Sequence, residues 1–188
     1  MKIIGLSGLQ GSGKSTVAIY LQENGFQFIN FSDKLKDVCS IIFGWDRELL
    51  NGYTVESRQF RETIDPFWST KLDKNITPRY ILENIGEDVF RQHFHPDIWI
   101  LAAERAITSD KVVFGDVRMI NEVNFIKNKS GVVCRIKRGD DPIWLSNESE
   151  RKNVHRSNWD CYGHEDLIIE NDGSITDLHN KINSLLMD

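Results

Sequence analysis

"KIIGLSGLQGSGKS", residues 2–15, runs from a short apolar stretch straight into a glycine-rich loop. Gly8, Gly13, Lys14 and Ser15 fit the spacing G-x-x-x-x-G-K-[ST], with Gly11 a further glycine between them. Glycines let the backbone turn its N–H groups inward around a phosphate without a Cβ in the way, and the helix that follows points its positive end at the same spot. Lys14 then reaches the β and γ oxygens, and the Ser15 hydroxyl is placed to ligate Mg²⁺. A glycine-rich turn fits this spacing by chance only without the right flanks. Here Ile3, Ile4 and Leu6 suit a buried strand, and residues 15–23 read as the helix that should follow. The loop alone does not separate a kinase from a GTPase or an ATPase.

Working outward, the 188 residues suit one domain with a proper core. No apolar run approaches the ~20 residues that span a bilayer. The first strand starts at residue 2, which leaves no room for a signal peptide, so the expected compartment is the cytoplasm. Cys39, Cys134 and Cys161 are odd in number and lack metal-ligand spacing, so reduced structural thiols are expected. A net charge of −5 argues against a broad basic face for a nucleic-acid polymer. Arg58, Arg61, Arg79, Arg91, Arg118, Arg135 and Arg138 therefore need another explanation. Each taken singly is a solvated or paired surface group, whereas a convergent subset would grip a small polyphosphate bidentately.

Strands are expected at 2–7, 26–31, 111–115, 131–137 and 166–170, and helices at 15–23, 119–129 and 174–186. That alternation implies an α/β fold, a parallel sheet with helices on both sides. Two connections exceed simple crossovers. In the first, 32–110, "SDKLKDVCSIIF" opens on a capping Ser or Asp, "TPRYILENIGEDVFRQH" places Thr77 at the N-cap and Pro78 at the first helical position, and "PDIWILAAERAI" begins at Pro96. The second, 138–165, is polar apart from Trp144 and Trp159. Excursions of this length in a compact α/β protein serve as acceptor platforms and lids.

"KVVFGDVRMINE" supplies the second half of the site. An apolar strand ending in Asp116 has the form of a Walker B element, which would hold Mg²⁺ beside the loop. Asp116 would otherwise N-cap the next helix. Arg118, two residues on, is in reach of a transferring phosphoryl group, and Glu122 is expected to bond the backbone or a neighbouring arginine.

At these residues a particular resemblance emerges. "GLSGLQGSGKSTVA", "FSDKLK", "ESRQFRETID", "TPRYILENIGEDVFR", "HPDIWI", "DVRMINE" and "IIENDGS" occur in the order and approximate spacing of the phage-type deoxynucleoside monophosphate kinases, across nearly the whole chain. The resemblance implies a P-loop, NMP-kinase-like fold: a five-stranded parallel sheet in a core of 1–31, 108–137 and 166–188, a helical acceptor-binding insertion at 32–107 and a lid at 138–165. It implies ATP as donor with Mg²⁺, and a 2′-deoxynucleoside 5′-monophosphate as acceptor. Carried over position by position, Gly11, Ser12, Gly13, Lys14, Ser15 and Thr16 would hold the donor phosphates, with Ser15 and Asp116 at the metal. Lys36, Arg58 and Arg61 would grip the acceptor phosphate. The five tryptophans read as core or lid packing, and Trp68, near the arginine pair, could instead face the acceptor base. Lys14, Asp116 and Arg118 form the expected catalytic group. One departure is visible: where such kinases commonly show His-x-Ser-Glu, this chain has His155-Arg156-Ser157-Asn158, without the carboxylate. Arg156 stands there as a candidate phosphate contact or a plain surface arginine.

Two other functions compete. Asp33, just past the second expected strand, resembles the acidic residue that dephospho-coenzyme A kinases use on a sugar hydroxyl, although it reads equally as a helix cap. A nucleotide-dependent regulatory ATPase is the third; the chain lacks the N-K-x-D of a GTPase. No membrane or nucleic-acid partner is expected, and the sequence leaves a homodimer open.

Overall fold

The computed structural model describes residues 1–158 and 160–187, so Trp159, expected to pack in the second excursion, lies outside the described residues. In chain order, β1 (Lys2–Ser7) and α1 (Lys14–Glu23) flank the glycine loop, and β2 (Gln27–Ile29) follows. Next come α2 (Asp33–Phe43), α3 (Val55–Glu62), α4 (Pro66–Leu72), α5 (Pro78–Glu83), a π-helical stretch at Asn84–Arg91 and α6 (Ile98–Arg105). The chain continues with β3 (Lys111–Phe114), α7 (Ile120–Asn128), β4 (Val132–Lys137), α8 (Ile143–Ser146), α9 (Glu148–Arg151) and a 3-10 turn at Arg156–Asn158. It ends in β5 (Leu167–Glu170) and α10 (Ile175–Met187). The expected second strand, 26–31, contracts to three residues because β2 has a ladder only with β3, at Gln27–Val112, Phe28–Val113 and Ile29–Phe114.

Contacts divide the chain into two compact units, residues 1–30 with 106 onward, and residues 31–105. All five strands belong to the first unit and pair in parallel, in the order β2-β3-β1-β4-β5. The central β1 is buried from Ile3 to Ser7 because helices cover both faces of the sheet. Ile4 and Leu6 point to one face and pack with Val17, Ala18 and Leu21 of α1 and with Leu178 and Ile182 of α10. The other face carries Gly5, where a Cβ would strike Ile126 of α7. Connections leave β1 toward β2 on one side, while β3 and β4 flank it. The glycine loop therefore sits at the carboxyl end of the central strand, where open α/β sheets bind ligands.

The second unit has its own core of Leu35, Cys39, Trp45, Leu50, Ile76, Ile81, Leu82 and Trp99. Its indoles are satisfied internally: Trp45 donates to Asp65 at 2.7 Å and Trp99 to the Gly86 carbonyl at 2.9 Å. Thr77 caps α5 by accepting from the Tyr80 N–H, with Pro78 following, as its sequence requires. Asp33 does not cap α2. Ser32 occupies the cap position and Asp33 is the first helical residue, its carboxylate drawn to Arg47 at 3.3 Å. The last helix of the unit starts at Ile98 rather than Pro96, because 96–97 form a turn.

Candidate active site

The loop between β1 and α1 takes positive φ at Gly8, Gly11 and Gly13, of 138°, 81° and 104°. Gly8 also needs to be glycine on spatial grounds, since a Cβ would collide with the Ile136 carbonyl on β4. The loop closes around its own lysine: Lys14 Nζ donates to the Gly8 carbonyl at 2.6 Å and the Leu9 carbonyl at 2.8 Å. Burial lowers the Lys14 pKa to about 8, helped by the Arg118 guanidinium and opposed by the Asp116 carboxylate and Cys161. Lys14, Asp116 and Arg118 thus share one electrostatic neighbourhood, although they come from two separate loops. Gly13 occupies the N-cap of α1 and brings no side chain to satisfy the first-turn N–H groups. Ser15 and Thr16 lie on that turn, and the buried Ser12 hydroxyl has no hydrogen-bond partner. Such an end accepts an anion.

The segment after β3 is held from three directions. The Val117 N–H donates to Leu6 on β1 at 3.0 Å, which brings residues 115–118 beside the loop. Asp116 does not cap α7: the cap is Met119, and the carboxylate that closes the box is Glu122. Glu122, 2% exposed, accepts from the backbone N–H groups of Arg118 at 2.7 Å and Met119 at 3.1 Å. The third direction is the end of the second excursion. The Cys161 N–H donates to the Arg118 carbonyl at 3.0 Å, and Asp160 accepts from the Ile120 N–H at 2.8 Å. Asp160 also pairs with Arg156 at 2.9 Å, which gives that arginine a structural partner. Asn158, where the carboxylate of the His-x-Ser-Glu pattern is missing, donates to the His155 carbonyl at 3.3 Å.

A cavity of about 140 Å³ opens beside the loop, lined among others by Gln10, Gly11, Ser12, Arg135, Arg138 and Asp141. Arg135, 7% exposed, bonds Asp141 and lies over the Tyr162 ring at 4.4 Å. A lone arginine inside the apolar run "VVCRIK" was the available signal for this group.

The four expected acceptor residues lie in the second unit. Arg58 and Arg61, three apart on α3, share a helix face. Arg58 donates to the Tyr53 carbonyl at 3.1 Å, and Arg61 lies so close over Gly52 that a Cβ there would strike its guanidinium. Lys36, 7% exposed on α2, has its ammonium 3.8 Å from Asp33. Trp68 donates to the Phe43 carbonyl at 3.0 Å and packs edge-on against Phe43 and Phe67, at 4.9 and 5.2 Å between ring centres.

No protein-family model matches the chain. A protein of Acanthamoeba polyphaga mimivirus named "Putative deoxynucleotide monophosphate kinase" is 29% identical over 197 residues, spanning 97% of this chain and 94% of its own length. A protein of Fusobacterium nucleatum subsp. nucleatum named dephospho-CoA kinase is 27% identical over 199 residues, spanning 96% and 94%. TT1252 from Thermus thermophilus superposes with a TM-score of 0.51 at 18% identity, over 98% of this chain and 96% of its own, a likeness of fold. The resemblance visible in the motifs therefore extends along the chain, and both relatives in sequence carry kinase names. No helix is long and apolar enough to cross a membrane among the described residues.

Proposed function

We propose that the chain is a P-loop phosphotransferase that moves the γ-phosphoryl group of ATP to a deoxynucleoside 5′-monophosphate, giving ADP and the diphosphate. The observation that carries this reading is the grouping of Lys14, Asp116 and Arg118 at the glycine loop, in a chain similar over 97% of its length to the mimivirus protein. Donor and acceptor are both anions, so the chemical difficulty is to bring two phosphates together and to stabilise charge on the group in transit. Positioning and cationic charge meet that difficulty without a covalent intermediate. In this reading the loop N–H groups and Lys14 bind the donor, Arg118 spans the two phosphates, and Lys36, Arg58 and Arg61 bind the acceptor.

Ser15 and Asp116 are hard oxygen donors of the kind Mg²⁺ takes. Among the described residues no group of three or more His, Cys, Asp or Glu side chains could cage a metal. A cation that draws most of its ligands from phosphates and water fits such a set. Ser15 and Asp116 would hold such an ion, which would supply positive charge to offset that of the donor phosphates.

The test is ADP release from ATP and Mg²⁺ with dGMP, dTMP, dCMP or dephospho-coenzyme A as acceptor, in wild type and Lys14→Ala. At least one monophosphate should stimulate turnover, and Lys14→Ala should abolish that stimulation. The Fusobacterium relative and Asp33 favour a hydroxyl acceptor instead, and stimulation by dephospho-coenzyme A alone would establish that reading. ATP turnover indifferent to every acceptor would point to a regulatory ATPase.

A further inference from the structure

The motif "IIENDGS" has no part in the scheme above, yet its asparagine touches the loop. Asn171 follows β5 directly and is 9% exposed. Its backbone N–H donates to the Lys137 carbonyl at the end of β4, at 2.7 Å, so its position is fixed by the sheet. Its side-chain Nδ2 donates to the Ser12 carbonyl at 2.8 Å, across 159 residues of sequence and in a buried setting. Gly13 lies against the same amide, for a Cβ at 13 would strike Asn171 Nδ2.

The Ser12 carbonyl and the Gly13 N–H belong to one peptide plane. In a trans peptide they point in opposite directions. Holding the carbonyl toward Asn171 therefore turns the Gly13 N–H away from Asn171, and Gly13 is itself the N-cap residue of α1, without a side-chain cap. Gly13, at φ 104°, has the conformational freedom to let that plane rotate, and something outside the loop has to stop it. We propose that Asn171 is a positioning residue for the donor phosphates, an amide clamp that locks the Ser12–Gly13 peptide with its N–H aimed into the phosphate cradle. This rests on the glycine loop being the donor site. The position needs a donor, which the amide supplies: a carboxylate would set lone pairs against the Ser12 carbonyl, and an aliphatic side chain would leave that carbonyl unpaired.

The clamp acts on phosphate, not on the nucleobase, and that separates it from a base-binding role. Calorimetric titration with ATP–Mg²⁺ and with inorganic tripolyphosphate would be run on wild type, Asn171→Asp and Asn171→Leu. An N–H to a charged phosphate is worth about 10- to 100-fold in affinity, so both ligands should weaken by a similar factor in that range in both variants. In Asn171→Asp the loss should shrink as pH is lowered from 7 to 5, relative to wild type at each pH, because a protonated carboxyl regains a donor for Ser12. A loss for ATP but not for tripolyphosphate, or unchanged binding in Asn171→Leu, overturns the proposal. Should either variant fold poorly, the wild type still decides: its Gly13 amide proton should move downfield when tripolyphosphate is added, and an unmoved resonance in a protein that binds the ligand overturns the clamp. Wild type that binds neither ligand would instead remove the donor site itself.

Discussion

Lys14 gives the proposed donor site a pH signature that can be worked out from its surroundings. Burial and the nearby Arg118 cation bring its pKa down to about 8, so the free protein loses the ammonium charge within an accessible range. A phosphate recognises the charged form. Apparent affinity therefore scales with the protonated fraction, about 0.9 at pH 7 and about 0.1 at pH 9 for a group titrating near 8. The ATP dissociation constant should rise about tenfold across that interval, or about 1.4 kcal/mol. Bound phosphate supplies the opposite charge, so in the complex the lysine keeps its proton to higher pH.

The assay is isothermal titration of ATP–Mg²⁺ at pH 7, 8 and 9 under constant ionic strength. Terminal phosphates titrate near ~6, so the ligand contributes no slope over this range. Lys14→Arg is the internal control, because a guanidinium stays charged throughout and should flatten the profile even if it binds more weakly. A flat profile in wild type would mean that the Lys14 charge is not what the donor meets. An equal slope in Lys14→Arg would assign the titration to another group.

Arg61→Ala should raise the Michaelis constant for the acceptor by about tenfold or more, the worth of a charge-assisted hydrogen bond to phosphate, and move the ATP constant much less; equal changes would contradict its assignment. Gly8→Ala and Gly11→Ala separate strain from collision. Gly11→Ala meets nothing within 4 Å and pays only for its positive φ, about 1–3 kcal/mol, so melting should fall by a few degrees. Gly8→Ala adds a clash with the Ile136 carbonyl and should melt far lower or fail to accumulate; equal melting temperatures would refute the distinction. Burial pushes the thiols of Cys39, Cys134 and Cys161 up to about 12, so an aromatic disulfide reagent at pH 8 should label them only in denaturant. Rapid labelling of the native protein would contradict that burial.

The sheet was legible because its signals are local and repeated. Apolar runs at β1, β3, β4 and β5 announce buried parallel strands whatever lies elsewhere, and the glycine spacing marks the turn between β1 and α1. Thr77-Pro78 is legible for the same reason, since cap and first helical residue are neighbours in sequence. The aspartates were less so. Asp33 and Asp116 each stand near the start of a helix, which makes each a reasonable cap, yet capping depends on the backbone angles at one position and on who else competes for the carboxylate. Ser32 takes the cap position of α2, while Arg47, fourteen residues on, draws the Asp33 carboxylate. Glu122, inside α7, reaches back to close its start, and Asp116 raises the Lys14 pKa as a nearby carboxylate.

What the sequence did not reveal are partners that meet only once the sheet has formed. Asp160 and Cys161 lie about forty residues beyond Arg118 and hydrogen-bond the segment that carries it. This bears on the second excursion, expected as a lid. Its exit is tied to the Arg118 segment through residues 160–161. Its start is tied through Arg135 to Asp141 and through the Gly139 N–H to Asp172 at 2.9 Å. α8 and α9 lie between these two anchors. Movement of the anchors themselves would displace Arg118 and Arg135 with them, which ties both ends of the excursion to the segments that carry these two arginines.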